Sequence, residues 1–272
     1  MKVKGIDISY HNSCIDFDEI KSKYDFVIIR CGYGKNHIDS KFHEYASKCQ
    51  KMKIPFGVYW FSYAYTVQMA IDEANYCCDT LDSYVLSYPV AFDFEYGSDN
   101  FAKKLGKKIT NELRCEMANA FLNHVKKRGY YPILYSNEDY IKFKGLEPLL
   151  DKYDLWYARY TTKSDPQREC AIWQFGTEIN NHEDVDVNYC YKDYPSIINP
   201  YNNMHDLDDN EISQIINESD LFYLNRDYIN LAYEVIQGNY GNGNIRKKKI
   251  EELGYNYEIT QSVVNTLLRI KG

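Results

Sequence analysis

The sequence lacks most of the signatures by which a chain of this size announces its chemistry. It has 272 residues, a net charge of −7 and no basic stripe, which argues against a nucleic-acid partner. The one dense basic run, Arg246-Lys247-Lys248-Lys249, reads as the solvated face of a helix. No apolar run approaches the length of a membrane span, so no membrane insertion is expected. No apolar signal segment precedes the first strand. The six His include no H-E-x-x-H and none pairs with Cys at zinc spacing, so neither a metal nor a cofactor is expected. A G-x-S-x-G elbow and a phosphate loop are also missing. The eight Cys form no C-x-x-C pair, and several, such as Cys31 and Cys77, fall at apolar positions where thiols pack as small hydrophobes. That usage suits synthesis in a reducing compartment.

What is abundant is tyrosine, with 28 residues against 3 Trp. Its flat face and polar tip suit surfaces that stack on sugars, although core packing accounts for it equally well. Eight strand-like runs precede residue 190, at 3–9, 26–31, 56–61, 89–95, 132–135, 155–157, 171–175 and 185–188. Amphipathic helices separate the earlier ones. Thr66 caps one whose Ala70, Ala74, Cys77, Cys78 and Leu81 recur at helical spacing, and Thr110 caps another carrying Leu113, Met117, Phe121 and Val125, closed by Gly129. Strand–helix alternation predicts parallel strands and an α/β fold, a (β/α)8-like barrel that is irregular where the last gaps are too short for helices. Residues 1–198 form this catalytic-sized domain, 199–226 a linker with a short helix near 212–216, and 227–272 a small all-α module of three helices.

Strand side chains alternate faces with period two. In Pro89-Val90-Ala91-Phe92-Asp93-Phe94-Glu95 the set Ala91, Asp93, Glu95 shares a face. The first strand repeats this with Gly5, Asp7 and Ser9, and the eighth with Asp186 and Asn188. In a parallel barrel the apolar faces meet the helices, so the polar faces turn inward and three strands bring Asp7, Asp93, Glu95 and Asp186 to one mouth. Clustered carboxylates repel, and at least one then holds its proton above its usual range, giving a general acid beside ionised partners. Glycosidic cleavage needs that arrangement. The i, i+2 spacing sets Asp93 and Glu95 roughly 7 Å apart at Cβ. That leaves open whether Asp93 attacks, activates water, or orients a 2-acetamido group of the substrate.

With these residues placed, the first 195 or so resemble glycoside hydrolase family 25, the Chalaropsis-type lysozymes. The blocks are Gly5-Ile6-Asp7-Ile8-Ser9, Val27-Ile28-Ile29-Arg30-Cys31-Gly32-Tyr33-Gly34, Phe56-Gly57-Val58-Tyr59-Trp60-Phe61-Ser62-Tyr63-Ala64, Phe92-Asp93-Phe94-Glu95, Leu134-Tyr135-Ser136, Leu155-Trp156-Tyr157-Ala158, Ile172-Trp173-Gln174-Phe175 and Val185-Asp186-Val187-Asn188-Tyr189. The resemblance implies a muramidase acting on bacterial peptidoglycan. Glu95 would be the acid, Asp93 its partner, and Asp7 and Asp186 supporting carboxylates. Tyr59, Tyr63, Tyr135, Trp156, Trp173 and Gln174 would line the sugar groove. One departure is 179–183, where the family often has glycines. From Leu231 to Asn265 the chain resembles the choline-independent cell-wall-binding repeat of phage lysozymes, for which Asn242 and Arg246 are the expected ligand contacts. A single copy would tether weakly. The alternatives are an N-acetylglucosaminidase or chitinase-like glycosidase, and a glycan-binding protein without turnover. A lysozyme without a visible signal is expected to be made in the cytoplasm and to reach the wall on release, like a phage endolysin; secretion with the signal removed is the alternative.

Overall fold

The computed structural model describes residues 2–12, 14–161, 163–198, 226–236 and 238–271. The expected linker at 199–226 and its short helix near 212–216 lie outside these, Arg226 excepted. The chain divides into two compact units, Met1–Ile198 and Asn199–Gly272.

In the first unit the strands are β1 (Val3–Ile8), β2 (Phe26–Tyr33), β3 (His37–Ile38), β4 (Phe56–Phe61), β5 (Val90–Asp93), β6 (Pro132–Asn137), β7 (Asp154–Ala158), β8 (Ile172–Asn180) and β9 (Glu183–Cys190). Their neighbour order is β1-β9-β8-β7-β6-β5-β4-β2-β3, and β1 also pairs with β2, so eight strands close into a barrel with β3 outside the ring. β3 is too short to leave a periodic trace in the sequence; it folds back on β2 with Ile38 opposite Gly32. The barrel is not wholly parallel, which corrects the sequence expectation. β9 runs antiparallel to both β8 and β1. Its connection from β8 is the pair Asn181-His182, with φ of 44° and 71°. Two left-handed residues make a hairpin turn, whereas a parallel return needs a crossover of a dozen residues or more.

Among the described residues of this unit, seven α-helices accompany the strands: α1 (Phe17–Lys23), α2 (Phe42–Met52), α3 (Val67–Leu81), α4 (Tyr96–Lys104), α5 (Asn111–Lys127), α6 (Glu138–Phe143) and α7 (Tyr194–Ile198). Thr66 Oγ1 accepts from Met69 N and Thr110 Oγ1 from Leu113 N, so both expected caps form. The outward strand residues Ile6, Ile8, Val27, Ile29, Val58, Val90 and Phe92 pack with Ala70, Ala74 and Cys77 of α3 and Met117, Phe121 and Val125 of α5.

The inward positions form a second core. Phe26, Ile28, Tyr88, Ala91, Ile133, Trp156, Ile172, Cys190 and Tyr194 pack together as the barrel floor. Phe26 stacks on Tyr88 with ring centroids 4.3 Å apart. Its ring fills the place where a side chain at residue 5 would begin, since a Cβ added to Gly5 would stand 2.5 Å from it. Glycine there is a packing requirement.

The second unit contains helices Arg226–Ile236, Gly243–Glu252 and Tyr257–Lys271. Leu231, Ala232, Val235, Ile250, Val263 and Val264 form their core. The spacing of Ile259, Val263, Leu267 and Ile270 marks the last helix in the sequence; the side chains of Leu267 and Ile270 lie outside those described.

Candidate functional site

Two residues along most inward strand positions, the apolar floor gives way to polar groups. On β1 the step is from Gly5 to Asp7, on β5 from Ala91 to Asp93, on β6 from Ile133 to Tyr135, and on β8 from Ile172 to Gln174. β9 runs the other way, so its order reverses: Cys190 lies opposite Val3, Asn188 opposite Gly5, and Asp186 opposite Asp7. The antiparallel strand thus delivers its carboxylate to the same height as its parallel neighbours. A cavity of about 170 Å³ results, lined by Asp7, Arg30, Tyr59, Phe61, Asp93, Glu95, Tyr135, Trp156, Gln174 and Asp186.

Glu95 reaches this cavity from beyond its strand. β5 ends at Asp93, and Glu95 is the N-cap of α4, where the sequence placed it within the strand. Its backbone stays extended, φ −130° and ψ −172°, so the alternation carries Glu95 to the Asp93 side past the last ladder bond. Its N–H donates to Ser98 Oγ at 3.2 Å. α4 is anchored from behind: Asp99 accepts from Arg114 Nη2 at 2.8 Å and from the Tyr140 hydroxyl at 2.7 Å. The Tyr96 hydroxyl donates to Asp139 Oδ2 at 3.0 Å.

The four carboxylates occupy distinct environments. Asp7 Oδ2 accepts from Gln174 Nε2 and Asn188 Nδ2, each at 2.8 Å. Those amides are fixed in turn, since Tyr135 donates to Gln174 Oε1 at 2.9 Å and Trp156 Nε1 to Asn188 Oδ1 at 2.7 Å. Burial, then the charge of Asp186, pushes Asp7 up to about 8 against the pull of its two amide donors. Asp93 is 5% exposed and its Oδ1 is buried without a hydrogen bond. Burial first, then Glu95 and Asp7, hold it well above the usual carboxylate range, with Arg30 acting in the opposite direction. Glu95 is half-buried and also raised, mainly by burial, while a hydrogen bond with Tyr135 lowers it. Asp186 accepts from the Tyr160 hydroxyl and is raised chiefly by burial. Desolvation therefore outweighs the mutual repulsion on which the sequence argument rested.

The residues expected to line a groove do not all meet here. Tyr59, Tyr135, Trp156 and Gln174 line the cavity; Tyr63 and Trp173 do not. Tyr63 stands one ring away, 5.1 Å from Phe61 between centroids, and also packs on Phe101 at 4.8 Å. Trp173 lies on the outer face of β8, 2% exposed, with Ile141, Leu155 and Tyr157, and its Nε1 donates to Arg159 O at 2.9 Å. Adjacent strand residues face opposite sides, so Trp173 and Gln174 could not both point inward. Three neighbours were not singled out in the sequence. Phe61 shares its face with Tyr59, and Arg30 is a lone charge in the apolar run of β2, so both left a signal. Tyr160 sits in a loop and left none.

In the second unit, Asn242 occupies the N-cap position of the helix Gly243–Glu252, where its side chain makes no capping bond but meets Arg246. Arg246 donates to Gly241 O at 3.0 Å, Gln261 Oε1 at 3.0 Å and Asn242 Oδ1 at 3.1 Å. The expected pair is thus adjacent, with the guanidinium bracing the turn and holding Asn242.

Residues 6–184 match the sequence model of Glycosyl hydrolases family 25, and residues 230–268 match the CW_7 repeat. A search of curated proteins finds no match. Among solved structures, the modular autolysin LytC from Streptococcus pneumoniae, in complex with a synthetic peptidoglycan ligand, is 26% identical with a TM-score of 0.61. That similarity covers 70% of this chain and 47% of LytC, so the chain spans about half the length of that relative. The catalytic domain of endolysin ply40, from bacteriophage P40 of Listeria monocytogenes, shares the fold at 24% identity and a TM-score of 0.60, over 72% of this chain and 96% of that one. A family GH25 lysozyme from Aspergillus fumigatus does so at 20% identity and 0.58, over 71% and 95%.

Proposed function

The chain belongs to glycosyl hydrolases family 25, and from that premise we propose that it is a peptidoglycan hydrolase cutting the β-1,4 bond between N-acetylmuramic acid and N-acetylglucosamine. The observation that carries this reading is the cavity at the barrel mouth lined together by Asp7, Asp93, Glu95 and Asp186 with aromatic rings. Glu95 is the general acid. It is half-buried, so burial raises its carboxyl above the ordinary value and favours the protonated form, while its tip remains within reach of a bound glycosidic oxygen. Asp93 is the partner carboxylate. It sits deeper, and it is the member of the pair whose ionised form Arg30 favours. Proton donation by Glu95 weakens the bond to the leaving sugar; Asp93, which burial also raises, faces the centre left behind, where the positive charge that develops joins Arg30 in favouring its ionised form. Asp7 and Asp186 hold the polar network around that centre.

The CW_7 repeat supports a wall-tethering role for the second unit. Asn242 offers its amide to a muropeptide, and Arg246 fixes the orientation of that amide. Arg246→Ala is expected to weaken binding to sacculi while hydrolysis of soluble wall fragments is unchanged; unaltered sacculus binding would remove Arg246 from that role. Among the described residues no helix is long and apolar enough to cross a membrane.

Digestion of purified sacculi, with mass-spectrometric identification of the new reducing ends, tests the activity. Muramic acid ends are expected. Reducing N-acetylglucosamine ends would replace the proposal with a glucosaminidase, and no new ends would replace it with a glycan-binding protein.

A further inference from the structure

Helix α3 buries one stripe, and Glu73 stands on it between Ala70 and Cys77 as its one charged member. It is 1% exposed, and taking a carboxyl out of water is costly unless it is hydrogen-bonded. Burial pushes it up to about 7, Ser62 and the Tyr63 N–H pull it back, and the charge of Asp72 adds to the rise. Its Oε1 accepts from Tyr63 N at 3.0 Å. Glu73 does not line the cavity at the mouth.

The bond to Tyr63 falls where the sheet stops supplying partners. β4 ends at Phe61, and the three N–H groups that follow are each met differently. Ser62 N donates to Asp93 O at 2.7 Å, Tyr63 N to Glu73, and Ala64 N to Ser62 Oγ at 3.2 Å. Ser62 and Ala64 are both 0% exposed, so the segment depends on internal partners. It braces the supports of both reacting carboxylates. Ser62 N holds the backbone carbonyl of Asp93 itself. The Phe61 ring lines the cavity and abuts α4 at Gly97, where an added Cβ would stand 3.2 Å from its Cζ. The Tyr63 ring packs on Phe101 of the same helix, centroids 4.8 Å apart. Glu95 is the N-cap of α4. We propose that Glu73 is a positioning residue for the glycosidic step. By holding Tyr63 N it fixes the segment 61–63, which seats Asp93 on one side and the end of α4 that bears Glu95 on the other. This inference rests on the glycosidase reading.

Initial rates of reducing-end release from soluble, uncrosslinked wall glycan test the assignment, corrected for the folded fraction read from melting curves. Glu73→Ala should lower kcat about ten- to hundredfold and alter KM less than about threefold, because a small misplacement acts on the reacting geometry. Two conservative variants separate reach from charge. Glu73→Gln keeps the acceptor at the same distance and should retain kcat within about threefold. Glu73→Asp keeps the charge but stops one methylene short, and should fall towards the alanine value. If Glu73→Ala does not fold, the contrast between these two decides alone. A merely structural role would lower the folded fraction of Glu73→Ala and leave kcat per folded molecule at the wild-type value; that result would overturn the assignment. So would equal kcat in the Gln and Asp variants, or a rise in KM at unchanged kcat. These outcomes leave the proposed function standing. A wild-type protein that releases no reducing ends overturns the assignment together with the glycosidase reading beneath it.

Discussion

The floor and the mouth of this barrel are made from the same inward strand positions, a step of two residues apart. At the floor Phe26, Ile28, Ala91, Ile133 and Ile172 pack without polar atoms. At the mouth Arg30, Asp93, Tyr135 and Gln174 follow on the same strands and face each other across an open space. The lower layer is closed and satisfied. The upper layer contains buried polar atoms with no partner, on Arg30 and Asp93. The contrast shows how one strand can serve two ends: the lower residues fill space against one another, and the upper ones line a cavity.

The largest separation of the two layers is expected from Glu95→Gln, which keeps size and removes the proton. Lysis of sacculi should fall about 10²- to 10⁴-fold with wall binding intact. Retention of full activity would refute the acid assignment. At the floor, Phe26→Ala should instead cost about 3–5 kcal/mol of stability, read from urea unfolding. Its activity per folded molecule should fall far less than that of the Glu95 variant.

The pH response should also divide by layer. Asp7 is pushed up to about 8 in the fold from its ordinary 3.8. A carboxyl raised in this way favours folding most fully below its unfolded value, and that contribution is lost as pH rises from about 4 through about 8. Asp7→Asn cannot ionise, so its melting temperature should decline less over that window than that of the wild type; parallel slopes would show that Asp7 is not the titrating group. Phe26→Ala should leave the wild-type slope in place. The smallest effect is expected from Trp173→Phe. On the outer face of β8 it removes indole volume and the Nε1 bond to Arg159 O, and should cost about 1–3 kcal/mol while leaving KM unchanged. A raised KM would return Trp173 to the groove.

Much of this was legible in the residues. The caps Thr66 and Thr110, the helical stripes they begin and the alternation around Asp7, Asp93 and Asp186 are local patterns, and the structure contains them. The direction of β9 was less plain, because alternation reads the same forwards and backwards; only the brevity of the turn at Asn181-His182 separated hairpin from crossover. β3 had too few residues to show a period. Trp173 was misplaced by resemblance although its parity with Gln174 already forbade it. Tyr160 and its bond to Asp186 had no sequence signal, since a loop carries no periodicity.

By itself, then, the sequence determined which face of a strand each residue takes, because the period of two arises within a single strand. Only the tertiary structure decided the height at which each residue stands. Asp7 meets Asp186 because β1 and β9 pair in one register, and Arg30 is held by Asp39 because β2 continues beyond it into the β3 ribbon. Those heights follow from hydrogen bonding and closure among segments far apart in the chain, and no single segment contains them.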